Sequence, residues 1–277
     1  MISGQQRLHQ LWLHSQQLIK LSPERFPVAV FHCRSIQTLH KVRFYQPTLL
    51  LVLKGTKRIA EPYNQDCDQG NLLLIPQDSE FPFSNLPDDV YTALVICFDP
   101  KDFPSRTTTD STPVLDQCQA DDRILILIEQ LFSLANMAQI DRELATNLWQ
   151  QRRQELAGLL THLKLDGPLK VLPEETWSQK LINVLQRDLS ADWQLVDICK
   201  TLATSESNLR RRLKEENTGF RDLLEDLRLT QGLDLLQTTQ LPVNQIALEC
   251  GYQSASRFSE RFKKRFRTSP RELRQAR

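Results

Sequence analysis

The chain has 277 residues, of which 40% are hydrophobic and 25% charged, with a formal net charge of +1. That is enough length for two domains with real cores, and the balance is that of a globular protein rather than a disordered or collagenous one. No apolar run approaches the ~20 residues that span a bilayer, and the N-terminal stretch lacks a signal-peptide core, so a cytoplasmic location is expected.

In chain order, residues 5–20 read as a short amphipathic helix with Leu8, Leu11, Trp12, Leu18 and Ile19 as its apolar positions. From about 27 to 98 the texture changes to short apolar runs broken by turn residues. The clearest are 48–53 before Lys54-Gly55, 71–75 between Gly70 and Pro76, and 90–98 before Asp99-Pro100. Such spacing predicts a β-sandwich or small barrel. Residues 99–119 read as loop, with Pro104, Thr107-Thr108-Thr109 and Pro113. Two helices follow at 121–139 and 141–164. The first carries Ile124, Leu125, Leu127, Ile128, Leu131, Phe132 and Leu134, an apolar surface too wide to face solvent, which suggests either a dimer face or packing on the barrel. Leu165-Asp166-Gly167-Pro168 begins a linker, and all that follows reads helical. The expected division is 1–164, a linker at 165–173, and 174–277.

The last hundred residues contain one pattern twice. Ile198–Thr204 aligns with Ile246–Tyr252 at an offset of 48, and Leu209–Lys214 aligns with Phe258–Lys263 at 49. Each copy is a short apolar helix, a small-residue turn (Ala203, Gly251) and a second helix rich in Arg and Lys, which is a helix-turn-helix. Thr204, Ser205 and Ser254 are suited to cap the second helices. From residue 173 onward there are 18 Lys+Arg against 15 Asp+Glu; residues 257–277 alone carry nine basic and two acidic residues. Basic clusters of this kind serve phosphate neutralisation.

In the first copy, Leu209 and Leu213 point inward at i, i+4 spacing. Ser205, Ser207, Asn208, Arg210, Arg211 and Lys214 are then the candidates for DNA contact, since Arg pairs with guanine and Asn with adenine. The connecting helix, Phe220 to Gln237, spans about 27 Å, of the order of the ~34 Å between successive major-groove faces. In the second copy Phe258, Phe262 and Phe266 are inward, and the DNA-facing candidates are Ser254, Ala255, Ser256, Arg257, Ser259, Glu260 and Lys263. Ala and Ser read bases weakly, so this second helix is expected to discriminate less than the first and to lean on the backbone.

The stretch Gln194–Arg274 resembles the DNA-binding domain of the AraC/XylS family of bacterial transcription regulators. The resemblance is carried by Ile246-Ala247, Gly251-Tyr252, Ser254, Phe258-Ser259, Arg261–Phe266 and Ser269–Arg274, with Ala203 and Leu227-Arg228-Leu229. It departs from the family at Arg267, where Gly is frequent, at Glu260, where Arg is frequent, and in a link, Glu216–Phe220, one residue short. Tyr45–Leu49, Val52–Arg58 and Asp68–Pro76 are similar to the family's cupin-like regulatory half. The resemblance implies an α+β protein: a cupin-like barrel or sandwich with dimerisation helices at 121–164, then an all-α domain with two helix-turn-helix motifs joined by a linker helix. It also implies double-stranded DNA and RNA polymerase as partners, a homodimer, and control by a small-molecule effector or a regulatory protein. The alternative is a ligand-independent activator governed by abundance or by an anti-activator.

Enzymatic chemistry is not expected. The histidines at 9, 14, 32, 40 and 162 form no His-x-His, so a metal-dependent cupin lacks its ligands and no cofactor or metal is expected. Arg43, Lys54, Lys57 and Arg58 are candidates to receive an anionic effector, with solvated strand ends as the simpler reading. The six cysteines (33, 67, 97, 118, 199, 250) show no Cys-x-x-Cys spacing and read most simply as buried thiols, with a redox-sensing pair as the minor alternative.

Overall fold

A computed structural model describes residues 3–21, 28–105, 114–137, 140–171 and 174–277. The chain divides into two compact units. One is Met1–Leu172 with Gln237–Thr239 and Gln275–Arg277; the other is Pro173–Leu236 with Gln240–Arg274.

Among the described residues the first unit has helix α1 (Gly4–Leu21) followed by strands β1 (Val28–Cys33), β2 (Gln37–Phe44), β3 (Thr48–Lys54), β4 (Thr56–Ile59), β5 (Gln65–Cys67), β6 (Asn71–Ile75), β7 (Ser79–Leu86), β8 (Tyr91–Cys97) and β9 (Asp116–Gln119). They form two antiparallel sheets, ordered β1-β8-β3-β6-β9 and β2-β7-β4-β5. The three apolar runs expected as strands are β3, β6 and β8, at the centre of the larger sheet, where every residue from Thr48 to Leu53 is buried. A run covered on both sides loses the alternation of a half-exposed strand, which is why these three stand out as continuous apolar stretches. The smaller sheet alternates instead: β7 buries Phe81, Phe83 and Asn85 and turns Glu80 and Ser84 away.

Two features depart from the sequence reading. Residues 116–119, expected as loop, pair as β9 against β6 from Asn71↔Gln119 to Leu74↔Asp116. The run Asp-Gln-Cys-Gln has no apolar signal; its neighbour's unpaired edge recruits it. The triplet Thr107-Thr108-Thr109 and Pro113 lie outside the described residues. The start of the expected linker is packed: Gly167–Leu169 is a 3₁₀ turn with Leu169 wholly buried and Asp166 held by Lys170 at 3.2 Å.

Helices α2 (Asp122–Met137) and α3 (Arg142–His162) complete this unit. Ile124, Leu125, Ile128, Leu131, Phe132 and Leu134 enter the core that also holds Leu49, Leu51, Leu72 and Leu94. The apolar surface of α2 is thus covered within one chain, which removes it as an argument for a dimer face. Among the described residues, the large hydrophobic side chains exposed around these helices are Ile126, Ile140 and Leu144.

The second unit is all helical: α4 (Trp177–Leu185), α5 (Leu195–Thr201), α6 (Glu206–Glu215), α7 (Phe220–Thr238), α8 (Val243–Glu249), α9 (Ala255–Phe266) and α10 (Pro270–Gln275). No helix among the described residues is long and apolar enough to cross a membrane.

Candidate nucleic-acid interface

The two repeats fold into two helix-turn-helix motifs, α5–α6 and α8–α9. Their turns share a left-handed residue at the aligned position, Ala203 at φ 49° and Gly251 at φ 73°. Each turn is closed the same way: Thr204 N–H donates to the Cys199 carbonyl at 3.0 Å, and Tyr252 N–H to the Ala247 carbonyl at 2.8 Å. Between the helices lie four residues in the first copy and five in the second, which absorbs the change of offset from 48 to 49. Ala at a left-handed position costs about 1 kcal/mol relative to Gly, so the first turn carries strain that the second does not.

The second helix of each motif is capped by serine. Ser205 Oγ accepts from Asn208 N–H at 3.2 Å, and Ser254 Oγ from Arg257 N–H at 3.3 Å. Both serines were candidates for DNA contact; each hydroxyl is already engaged in starting its helix, a contribution of about 1 kcal/mol. On α6 the inward residues are Leu209 and Leu213. Ser207, Arg210, Arg211 and Lys214 are exposed, and Asn208 is half-buried. Asn208 donates to Thr204 Oγ1 at 2.8 Å and accepts from Arg211 at 3.0 Å. Arg210 pairs with Glu206 at 3.4 Å, and Arg211 with Glu215 at 2.6 Å. Such exposed i, i+4 pairs are worth a few tenths of a kcal/mol, little enough for phosphate or a base to replace them.

On α9, Phe258, Phe262 and Phe266 are buried and meet in series as tilted rings, with centroids 5.5 and 4.6 Å apart. That leaves Ser256, Arg257, Glu260 and Lys263 exposed, while Ala255 and Ser259 are half-buried. Arg267 ends α9 in the left-handed conformation, φ 61°, which explains why Gly suits that position in related sequences.

The roles of three residues escaped the sequence reading. Glu216 sits just past α6, and its carboxylate accepts N–H bonds from Trp177 and Ser178, both at 2.8 Å, and the Ser178 hydroxyl. It ties the end of one recognition helix to the start of α4, where a helix favours negative charge. Arg228, on α7, donates to the carbonyls of Leu189 and Ala191 at 2.9 and 2.8 Å, holding the α4–α5 loop beside the second turn. Arg221 lines a cleft of about 490 Å³ with Arg257, Arg261 and Tyr252, and also a cleft of about 810 Å³ with Arg210 and Trp193. The signal for Arg221 is its place one residue into the connecting helix, too far in sequence from either basic cluster to be grouped with them.

Two capped basic helices, each delivered by a left-handed turn and joined by a helix of 19 residues, define a tandem helix-turn-helix domain. Residues 198–276 match a helix-turn-helix domain family. Over 96 residues the chain is 40% identical to the HTH-type transcriptional regulator YdeO of Shigella flexneri, covering 35% of this chain and 38% of that protein. It is 33% identical over 101 residues to the urease operon transcriptional activator of Escherichia coli, covering 36% and 34%. To the HTH-type transcriptional activator CfaD of Escherichia coli it is 35% identical over 97 residues, covering 35% and 37%. Residues 198–276 of the C-terminal unit are therefore a helix-turn-helix domain similar to those of these transcriptional regulators. The matched region spans under two-fifths of these relatives' length.

Over nearly the whole chain the fold is that of ToxT from Vibrio cholerae. The structure with unsaturated fatty acid bound has a TM-score of 0.62 at 17% identity, covering 90% of this chain and 94% of ToxT. An apo ToxT variant gives 0.65 at 17%, covering 92% and 100%. At that identity the likeness is one of fold.

The candidate effector residues of the first unit part company. Arg43 pairs with Asp78 at 3.5 Å, Lys54 with Asp89 at 2.8 Å and Arg58 with Asp66 at 2.8 Å, all at the surface or partly so. Lys57 does not fit the solvated-end reading: it is 3% exposed. Its position was readable, because Lys57 and Ile59 are i, i+2 on β4 and both face inward.

Proposed function

We propose that this protein is a sequence-specific DNA-binding transcription regulator, acting as an activator, whose two recognition helices α6 and α9 enter successive major grooves on one face of the duplex. The reading rests on one observation above all: the same turn, cap and outward basic surface occur twice, on either side of α7. Arg210, Arg211 and Asn208 read bases from the first helix. Arg257 and Lys263 bind mainly phosphate from the second, with Ser256, Ser259, Ala255 and Glu260 supplying weaker discrimination. Lys214, Ser207, Ser205 and Ser254 contact the sugar-phosphate backbone in this reading. Activation implies RNA polymerase as a partner. Names of the relatives, two of which are activators, support the sign of regulation.

The first unit takes the regulatory role, sensing a small molecule or a protein partner, and residues 121–164 are the proposed dimer contact through the exposed Ile126, Ile140 and Leu144. A ToxT structure with fatty acid bound supports a small-molecule effector on this fold.

The experiment is binding of the folded full-length protein to promoter DNA. Arg210→Ala and Arg211→Ala each weaken binding by about 1–3 kcal/mol with relaxed preference at one base position. Unchanged binding by both variants, with helix content intact, removes α6 as a reading helix. Genome-wide binding compared with transcript changes in a deletion strain then identifies the operators and the sign.

A further inference from the structure

A trough crosses the second unit between its two recognition helices. One part, a cleft of about 810 Å³, reaches Arg210 on α6; the other, of about 490 Å³, reaches Arg257 and Arg261 on α9; Asp192, Arg221 and Leu224 line both. The larger part is neutral, with Arg210 and Arg221 set against Asp192 and Asp222. The smaller keeps an excess of positive charge, four guanidinium groups against the carboxylates of Asp192 and Glu225.

Two of those four groups are committed. Arg228 donates to the Leu189 and Ala191 carbonyls at 2.9 and 2.8 Å, and Arg261 pairs with Glu225 at 3.5 Å. Arg221 and Arg257 are exposed, and among the described residues no hydrogen bond or ion pair engages either guanidinium. Neighbouring arginines are paired instead, Arg210 with Glu206, Arg211 with Glu215 and Arg265 with Asp226. Tyr252 lines the smaller cleft, and its hydroxyl has no hydrogen-bond partner among the described residues. Burial holds that hydroxyl above the ordinary tyrosine value, so it stays a donor. Donors thus outnumber acceptors here, and the surplus carries positive charge.

We propose that Arg221 and Arg257 together seat one phosphate group, that of the DNA strand bordering the minor groove between the two major grooves that α6 and α9 enter. Connecting helix α7 then becomes a third DNA-contacting element, and the shared phosphate fixes the register of both recognition helices on the duplex. Between successive major grooves on one face lies a minor groove flanked by two backbones, so a basic cleft set between the recognition helices meets phosphate there before base edges. A carboxylate is satisfied by one guanidinium fork, whereas a phosphate presents its oxygens tetrahedrally and accepts from two forks on different helices. The inference rests on reading α6 and α9 as recognition helices.

Ethylation interference on an operator fragment recovered by genome-wide binding makes the test, with the full-length wild type, Arg221→Gln, Arg257→Gln and the double variant. Both side chains are exposed, so the variants keep the wild-type melting temperature. Ethylating one phosphate between the two major-groove segments is expected to weaken wild-type binding about tenfold, each single variant about threefold and the double variant not at all, while interference beside α6 and α9 persists in all four proteins. Loss at two separate phosphates, one for each arginine, or an undiminished effect in the double variant, overturns the shared seat and leaves the DNA reading standing. No interference at any phosphate in the wild type overturns the DNA reading itself. Titration of the DNA-free protein with pyrophosphate at fixed ionic strength separates the sources of phosphate. Saturable binding that Arg221→Gln removes, without the shared interference, assigns the seat to a soluble phosphate compound and overturns its assignment to the strand.

Discussion

Replacing Gly251 by alanine tests whether the second turn is held by geometry or only by its sequence neighbours. The residue has φ 73°, and an added Cβ would lie 2.6 Å from Arg228 Nη2, 2.7 Å from its Cζ and 2.7 Å from the Leu189 carbonyl oxygen. The left-handed backbone alone costs about 1 kcal/mol with a Cβ present. Arg228 must also withdraw from the Leu189 and Ala191 carbonyls, and hydrogen bonds to a charged group are worth about 1.5–3 kcal/mol each. Partial relaxation of the guanidinium returns some of this, so the total is about 3–5 kcal/mol, a large part of a domain's usual stability. Urea unfolding reports it as a midpoint lowered by about 1–2 M at a slope of 2–3 kcal/mol/M. Of the four tryptophans, Trp177 and Trp193 report on this unit, and Trp12 and Trp149 on the other. The matched change in the first motif has the opposite sign: Ala203→Gly relieves the same left-handed strain at an exposed site and stabilises by about 0.5–1 kcal/mol. A Gly251→Ala protein within 0.5 kcal/mol of wild type refutes the argument, as does destabilisation by Ala203→Gly.

Arg267→Gly stabilises the second unit by about 1 kcal/mol in the same assay, because the residue closing α9 is left-handed. Glu216→Ala leaves two N–H groups at the start of α4 without their acceptor and costs about 1–3 kcal/mol, seen as loss of helical signal at lower urea. Arg221→Ala weakens promoter binding about equally on specific and random DNA and reduces the slope of log K against log salt by about one, while a change confined to one base position contradicts its role as a phosphate contact. Desolvation by burial brings Lys57 down to about 7 from its usual 10.5, so between those values the unfolded chain holds the extra proton. Stability therefore rises with pH across that window and the penalty is fully present below it. The stability difference between wild type and Lys57→Met should shift in favour of wild type from pH 7 to 9.5, and a pH-independent difference would mean that Lys57 is solvated.

The tandem motif was legible in the residues because every signal it uses is local. Caps at Ser205 and Ser254, small residues at Ala203 and Gly251, and apolar spacing at Leu209/Leu213 and Phe258/Phe262 all act within one or two turns of chain. Buried strands β3, β6 and β8 announced themselves as unbroken apolar runs for the same reason. Tertiary structure alone decided the rest. Whether the apolar side of α2 meets a partner or its own core depends on what packs against it, and here the core of the same unit covers it. Strand β9 exists because β6 offers an edge, not because its own residues favour a strand. Gln37, Lys57 and Asn85 are separated by 20 and 28 residues in sequence, so no window contains them; only strand pairing sets them in one row and only the opposite sheet removes them from water.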